Sequence, residues 1–179
     1  MFHALVKTGA ERGTLALVTP SAQTRWTELL ERSEALADRL RDLAGRRVGL
    51  ALRAARDHFA ALAALDRLGA DVFLMSADLD ESHRRDLAGQ FHLVAIVHSV
   101  DDAADLQVEP HDPQSPAGEP GVTILTSGTT GKPKAARHTW ASLLRPARPT
   151  PEYPNPRWLL TYRPNLYAAL QVVAQCFFN

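Results

Sequence analysis

Gly121-Val122-Thr123-Ile124-Leu125-Thr126-Ser127-Gly128-Thr129-Thr130-Gly131-Lys132-Pro133-Lys134 is the stretch on which the reading of this chain turns. Its first half is a short apolar, β-branched run, the pattern of a buried strand. The run then breaks into residues drawn only from Ser, Thr and Gly, followed by two lysines around Pro133. Each residue type has a physical use there. Gly128 and Gly131 tolerate positive φ and let the backbone come close to a ligand. Successive backbone N–H groups in such a turn form a concave nest that suits an anion. The hydroxyls of Thr126, Ser127, Thr129 and Thr130 add donors, and Lys132 and Lys134 add positive charge. The ligand implied is a polyphosphate.

Two better-known phosphate loops do not fit. A Walker A loop has four residues between its glycines and ends in Gly-Lys-Ser/Thr. Here two residues separate Gly128 from Gly131, and Pro133 follows Lys132. The dinucleotide fingerprint Gly-x-Gly-x-x-Gly is absent. The Gly-x-x-Gly spacing is shared with the nucleic-acid clamp of a KH module, but no Ser/Thr-only loop leaves an apolar strand there. A solvated hydrophilic turn is the bland alternative. Four hydroxyl residues, two glycines and two lysines within nine positions weigh against it.

Thr126-Ser127-Gly128-Thr129-Thr130-Gly131-Lys132-Pro133-Lys134 resembles the signature loop of the adenylate-forming enzymes: acyl- and aryl-CoA synthetases, luciferases and the adenylation domains of peptide synthetases. The resemblance implies that the loop grips the β- and γ-phosphates of ATP, with Lys134 at its end. Lys132 precedes a proline and is expected to face solvent more. The reaction implied joins a carboxylic acid substrate to ATP, releases pyrophosphate and passes the acyl-AMP to a thiol of CoA or phosphopantetheine. Mg²⁺ is implied in the complete enzyme. Trp26-Thr27-Glu28-Leu29 resembles the entry to the first large helix of those enzymes. The chain departs from them at Tyr162-Arg163-Pro164-Asn165-Leu166-Tyr167-Ala168-Ala169-Leu170. There the proline is displaced, a histidine is missing, and Ala169 stands where glycine is common, so the resemblance does not extend to the choice of acid.

Working outward from the loop, 14–18 reads as a strand ended by Pro20, and Thr27 as the cap of a helix. Leu29, Leu36, Leu40 and Leu43 share one face of that helix, which Gly45 stops. Arg47-Val48-Gly49-Leu50-Ala51-Leu52 reads as a strand, 57–68 as a helix apolar nearly all round, and Asp71-Val72-Phe73-Leu74-Met75 as a second strand. Strand, helix and strand at this spacing predict a parallel pair with a right-handed crossover. A polar helix over 79–90 and a strand over 93–97 follow. Proline-rich connectors lie near 101–120 and 145–156, with a short helical stretch over 138–144 between them. Arg157-Trp158-Leu159-Leu160-Thr161-Tyr162 reads as a strand and 166–178 as an apolar helix. The fold class expected is α/β, a mostly parallel sheet flanked by helices, resembling the first part of the large N-terminal domain of an adenylate-forming enzyme.

Composition narrows the classes further. Lys plus Arg equals Asp plus Glu at 20 each in 179 residues, which argues against nucleic acid or an anionic membrane as the main partner. Cys176 is the single cysteine, so no internal disulfide forms, and a reducing, cytoplasmic setting is expected. The first residues lack the apolar core of a signal peptide, and no window reaches the length of a membrane span. None of the seven histidines pairs at metal-ligand spacing, so a metal site is not expected. Ser127 lacks the Gly-x-Ser-x-Gly elbow of a hydrolase and reads as a phosphate donor; no catalytic residue is assigned. Against the resemblance, the 179 residues cover only a partial N-terminal domain, without the C-terminal domain and its lysine. Such a chain is expected to form no acyl-adenylate by itself. A non-catalytic nucleotide-binding or regulatory half-domain, or a half-enzyme completed by another chain, are the alternatives. The apolar last helix, if uncovered, is expected to pair two copies into a homodimer.

Overall fold

The structure, a computed structural model, describes residues 1–20, 22–99, 106–111, 114, 118–126, 134–149 and 157–179. Helix α1 (Phe2–Glu11) comes first, then strands β1 (Leu15–Val18) and β2 (Gln23–Arg25), an antiparallel pair in a sheet of its own. Helix α2 (Trp26–Arg39) follows. The chain then alternates: β3 (Arg47–Ala51), α3 (Ala55–Arg67), β4 (Asp71–Leu74), α4 (Glu81–Phe91), β5 (Ala95–His98). After these come β6 (Gln107–Pro110), β7 (Gly121–Thr126), β8 (Lys134–His138), α5 (Trp140–Leu144) and α6 (Tyr167–Phe178).

The main sheet runs β6-β5-β3-β4-β7-β8. Its four inner strands are parallel, and β6 and β8 are antiparallel edges. The parallel β3–α3–β4 unit is as the sequence predicts, with Leu50 opposite Leu74. β4 and β5 are buried at every residue, as strands covered on both faces must be. One face carries the larger core, in which Phe2, Trp26, Leu62, Leu143 and Phe177 meet. The other carries Phe73, Met75, Leu87 and Ile96 beneath α4. Packing there is tight enough to require glycine at 49: a Cβ would lie 2.8 Å from Met75 Sδ and 2.9 Å from Ile96 Cγ1.

Several sequence expectations are corrected. Helix α1 was not foreseen, yet its Phe2 ring stacks on Trp140 at 5.3 Å and meets Phe177 edge-on at 5.4 Å. Thr27 is not the cap of α2: Arg25 holds that position, and the Glu28 carboxylate accepts its backbone N–H at 2.7 Å. The helix ends at Arg39 and a 3₁₀ turn over Arg41–Leu43 follows, so Gly45, at φ +66°, ends the turn and not the helix. The connector near 101–120 contains edge strand β6. His138 closes β8, and Thr139 caps α5 by accepting the Ser142 N–H at 3.2 Å. The strand expected over 157–162 does not form; exposed Trp158 and half-buried Leu160 line a cavity against Trp26 and Phe59, so their apolar contacts are with helices and not within a sheet. Helix α6 buries Ala169, Leu170, Val173, Ala174 and Phe177 on its own chain.

Two outcomes follow from this packing. Phe2→Ala is expected to cost about 3–5 kcal/mol in urea unfolding; a loss below about 1 kcal/mol would remove α1 from the core. His58 in α3 is fully buried, and burial pushes its pKa down to about 4 against the pull of a backbone hydrogen bond at Leu52. Because the unfolded value is about 6.5, the unfolded chain takes up a proton in this window that the folded chain refuses. Stability should therefore fall as the pH drops from 6.5 to 4, by roughly 3 kcal/mol. His58→Leu should flatten that slope in urea midpoints; an unchanged slope contradicts it.

Candidate functional site

Strands β7 and β8 are antiparallel neighbours whose last paired residues are Thr126 and Lys134. The turn that joins them therefore leaves the carboxyl end of the parallel strand β7, where open α/β sheets form their ligand crevices. Ser127, Gly128, Thr129, Thr130, Gly131 and Lys132 lie outside the described residues. Of the expected site residues, the structure places the backbone of Thr126 at the end of β7 and Lys134, exposed, at the start of β8. Residues 121–124 of β7 are buried, as a strand covered on both faces must be.

Beside this point the structure gathers side chains that sequence reasoning missed. Leu74, the last residue of β4, pairs with Ile124 of β7, and Ser76 follows two residues beyond that carboxyl end. Asp78 follows, bonded through Oδ1 to Arg53 Nη2 at 2.5 Å and through Oδ2 to Arg163 Nη1. Arg163 Nη1 also reaches Ser76 Oγ at 3.4 Å. Desolvation pushes the Asp78 carboxyl up, but the charges and hydrogen bonds of Arg163 and Arg53 outweigh it and hold the pKa below its usual value. The signal for Arg163 was the departure at 162–170; its partners are some 85 residues away in sequence.

The opposite end of the sheet is closed. Buried Asp71, at the amino end of β4, sits 3.5 Å from Arg47 Nε and 3.7 Å from Arg137 Nε. Burial raises its pKa against the pull of both arginines. A Cβ at Gly118 would come within 2.4 Å of the Asp71 Cβ, so the incoming connector is packed onto this pair. On the α4 face, Glu109 accepts from Arg84 Nε at 3.0 Å and lies 3.3 Å from His111 Nε2 and 3.6 Å from His98 Nε2. Burial, then the Arg84 charge, pulls the His98 pKa down. Both clusters tie strands together. The His138 ring lies 5.3 Å from Tyr167, a packing role. Among the described residues no three His, Cys, Asp or Glu side chains gather so as to hold a metal ion. Nor, among them, is any helix long and apolar enough to cross a membrane.

No protein-family model matches the sequence, and no curated protein does. Solved structures do. The N-terminal subdomain of Klebsiella oxytoca NpsA, in complex with 3-hydroxyanthranilyl-AMSN, aligns with a TM-score of 0.75 at 17% identity, over 98% of this chain and 50% of that one. The N-terminal domain of FACL13 from Mycobacterium tuberculosis, with an inhibitor bound, gives 0.76 at 19%, over 99% and 55%. O-succinylbenzoate Coenzyme A synthetase (MenE) from Bacillus subtilis, in complex with AMP, gives 0.71 at 17%, over 97% and 53%. The fold is that of the N-terminal half of adenylate-forming enzymes. The chain spans about half the length of these structures. This shared fold is the α/β, mostly parallel sheet flanked by helices that the sequence leads one to expect.

A cavity of about 360 Å³ opens on the helical face of the adenylation fold, lined by Phe2, Trp26, Phe59, Trp158, Val173 and Cys176. Burial pushes the Cys176 thiol up to about 11, which rules it out as a nucleophile near neutral pH. A disulfide-exchange reagent at pH 8 should react with it on the order of a hundredfold more slowly than with an unfolded control. Equal rates would show that the thiol is not held in this cavity.

Proposed function

We propose that this chain is the N-terminal part of an ATP-dependent carboxylate-activating ligase and that residues 126–134 are its ATP phosphate-binding loop. One observation carries the reading: a Ser/Thr/Gly/Lys segment follows in sequence the carboxyl end of an inner parallel strand, in a fold shared with the N-terminal subdomain of NpsA. Its supports are the nest chemistry of that turn and the likeness to proteins solved with AMP and with 3-hydroxyanthranilyl-AMSN.

In this reading the turn's N–H groups and hydroxyls, with Lys134, hold the β- and γ-phosphate oxygens of ATP. A carboxylate oxygen of the acid attacks the α-phosphorus, the P–O bond to the β-phosphate breaks, and an acyl-AMP anhydride and pyrophosphate result. Charge builds on the departing pyrophosphate, and donors fixed around it lower the barrier. A thiol of CoA or phosphopantetheine then attacks the acyl carbon, forming a thioester and releasing AMP. The described residues offer no carboxylate cluster for Mg²⁺, so none of these steps is assigned to a metal-binding side chain of this chain.

Lys134→Ala removes one charged hydrogen bond, worth about 1.5–3 kcal/mol. Calorimetric titration should therefore show ATP bound roughly ten- to a hundredfold more weakly by the variant. Lys132→Ala should weaken it less. Unchanged ATP affinity in Lys134→Ala would take Lys134 out of the site.

A further inference from the structure

Arg163 is an exposed cation at the carboxyl end of the sheet, held on one side of its guanidinium and open on the other. Its Nη1 is engaged twice, by Asp78 Oδ2 and by Ser76 Oγ. Its Nε and Nη2 make no hydrogen bond among the described residues, and the side chain is 64% exposed. Nε–H and the Nη2–H beside it form the two-donor edge of a guanidinium that matches the two oxygens of a carboxylate or phosphate. Asp78 cannot turn to fill that edge, because its other oxygen already holds Arg53 at 2.5 Å. Exposed ion pairs of this kind add little to stability, so anchoring a long side chain here has small structural return.

The backbone of Arg163 is fixed as well. Its carbonyl accepts the Leu166 N–H at 3.0 Å across Pro164, closing a turn directly before α6, which is packed into the core. Ser76 lies two residues past the carboxyl end of β4, and β4 is the parallel neighbour of β7, so Arg163 lies at the carboxyl end of the strand that flanks β7. We propose that Arg163 is an oxyanion receptor of the candidate site: Asp78 and Ser76 hold one side of its guanidinium while the Nε–Nη2 edge binds a carboxylate or phosphate group of the ligand. The proposal rests on the reading of residues 126–134 as a polyphosphate loop, since that is what brings an anionic ligand to this rim. A group of this chemistry has two sources, a phosphate of the nucleotide or the carboxylate of the acid. In either case Arg163 binds and orients the anion; no bond to it is made or broken.

The test is calorimetric titration of the purified 179-residue chain with inorganic pyrophosphate and, separately, with benzoate. Variants are Arg163→Ala, Arg163→Gln, Arg163→Lys and Lys134→Ala, each checked for native packing by near-ultraviolet circular dichroism. Arg163→Ala or, should it misfold, Arg163→Gln is expected to weaken one probe about tenfold, as loss of a charged hydrogen bond does. Arg163→Lys should recover only part of that, because it restores the charge without the fork. A loss with pyrophosphate assigns the edge to phosphate, and a loss with benzoate alone assigns it to the acid. Unchanged affinity for both probes in the neutral variants overturns the proposal. If Lys134→Ala weakens pyrophosphate while the Arg163 variants change nothing, the loop reading stands and this inference falls. If only the Arg163 variants matter, the loop reading falls and the receptor stands. A wild-type chain that binds neither probe overturns both.

Discussion

The parallel pairing of β4 with β7 is the constraint on which the rest depends. It sets Asp71 opposite Gly121 and Leu74 opposite Ile124, and thereby decides what each end of the sheet can be. At the amino end it brings Asp71 to the connector at Gly118 and to Arg137 on β8. At the carboxyl end it sets the last residues of β7 beside the strand that leads to Ser76. Parallel pairing of this kind holds only if both faces are covered, and the chain meets that demand with two apolar layers of different origin. The larger layer recruits α1 and α6 from the two extremes of the described chain, joined through Phe2 and Phe177.

The two ends of the sheet treat charge differently. At the amino end a carboxylate is buried among arginines, its pKa raised by desolvation, and the surrounding chain closes over it. Breaking such a pair leaves an unpaired buried charge, so its role is to fix the entry to β7. At the carboxyl end Asp78 is solvated, its pKa lowered by Arg163 and Arg53 after desolvation is overcome, and an arginine edge is left open. A closed end and an open end on one sheet are what a binding scaffold needs: rigidity below, accessible donors above.

The parts legible in the sequence were those whose cause is local. The β3–α3–β4 unit was visible because a buried helix and two apolar runs leave no other economical packing. The parts that were not legible depend on distant partners. Residues 157–162 have strand propensity, yet propensity needs a neighbouring strand, and Trp158 found helices instead. Lys134-Ala135-Ala136-Arg137-His138 has almost none, yet pairs with β7 because the turn returns it there. Thr27 is a good cap residue, but the Glu28 carboxylate reaching back to the Arg25 N–H moved the helix start by two residues. Arg163 could be flagged only as a departure from a resemblance; Asp78 and Ser76 gave it a role.

The central claim is that the turn at the carboxyl end of β7 binds polyphosphate, and amide chemical shifts during an ATP titration test it most directly. The account predicts that the amides of Thr126, Lys134 and Ser76 move together and saturate with one affinity, while those of Arg47, Asp71 and Gly121 at the closed end stay still. Shifts confined to the Asp71 end, or none at saturating ATP, would contradict it.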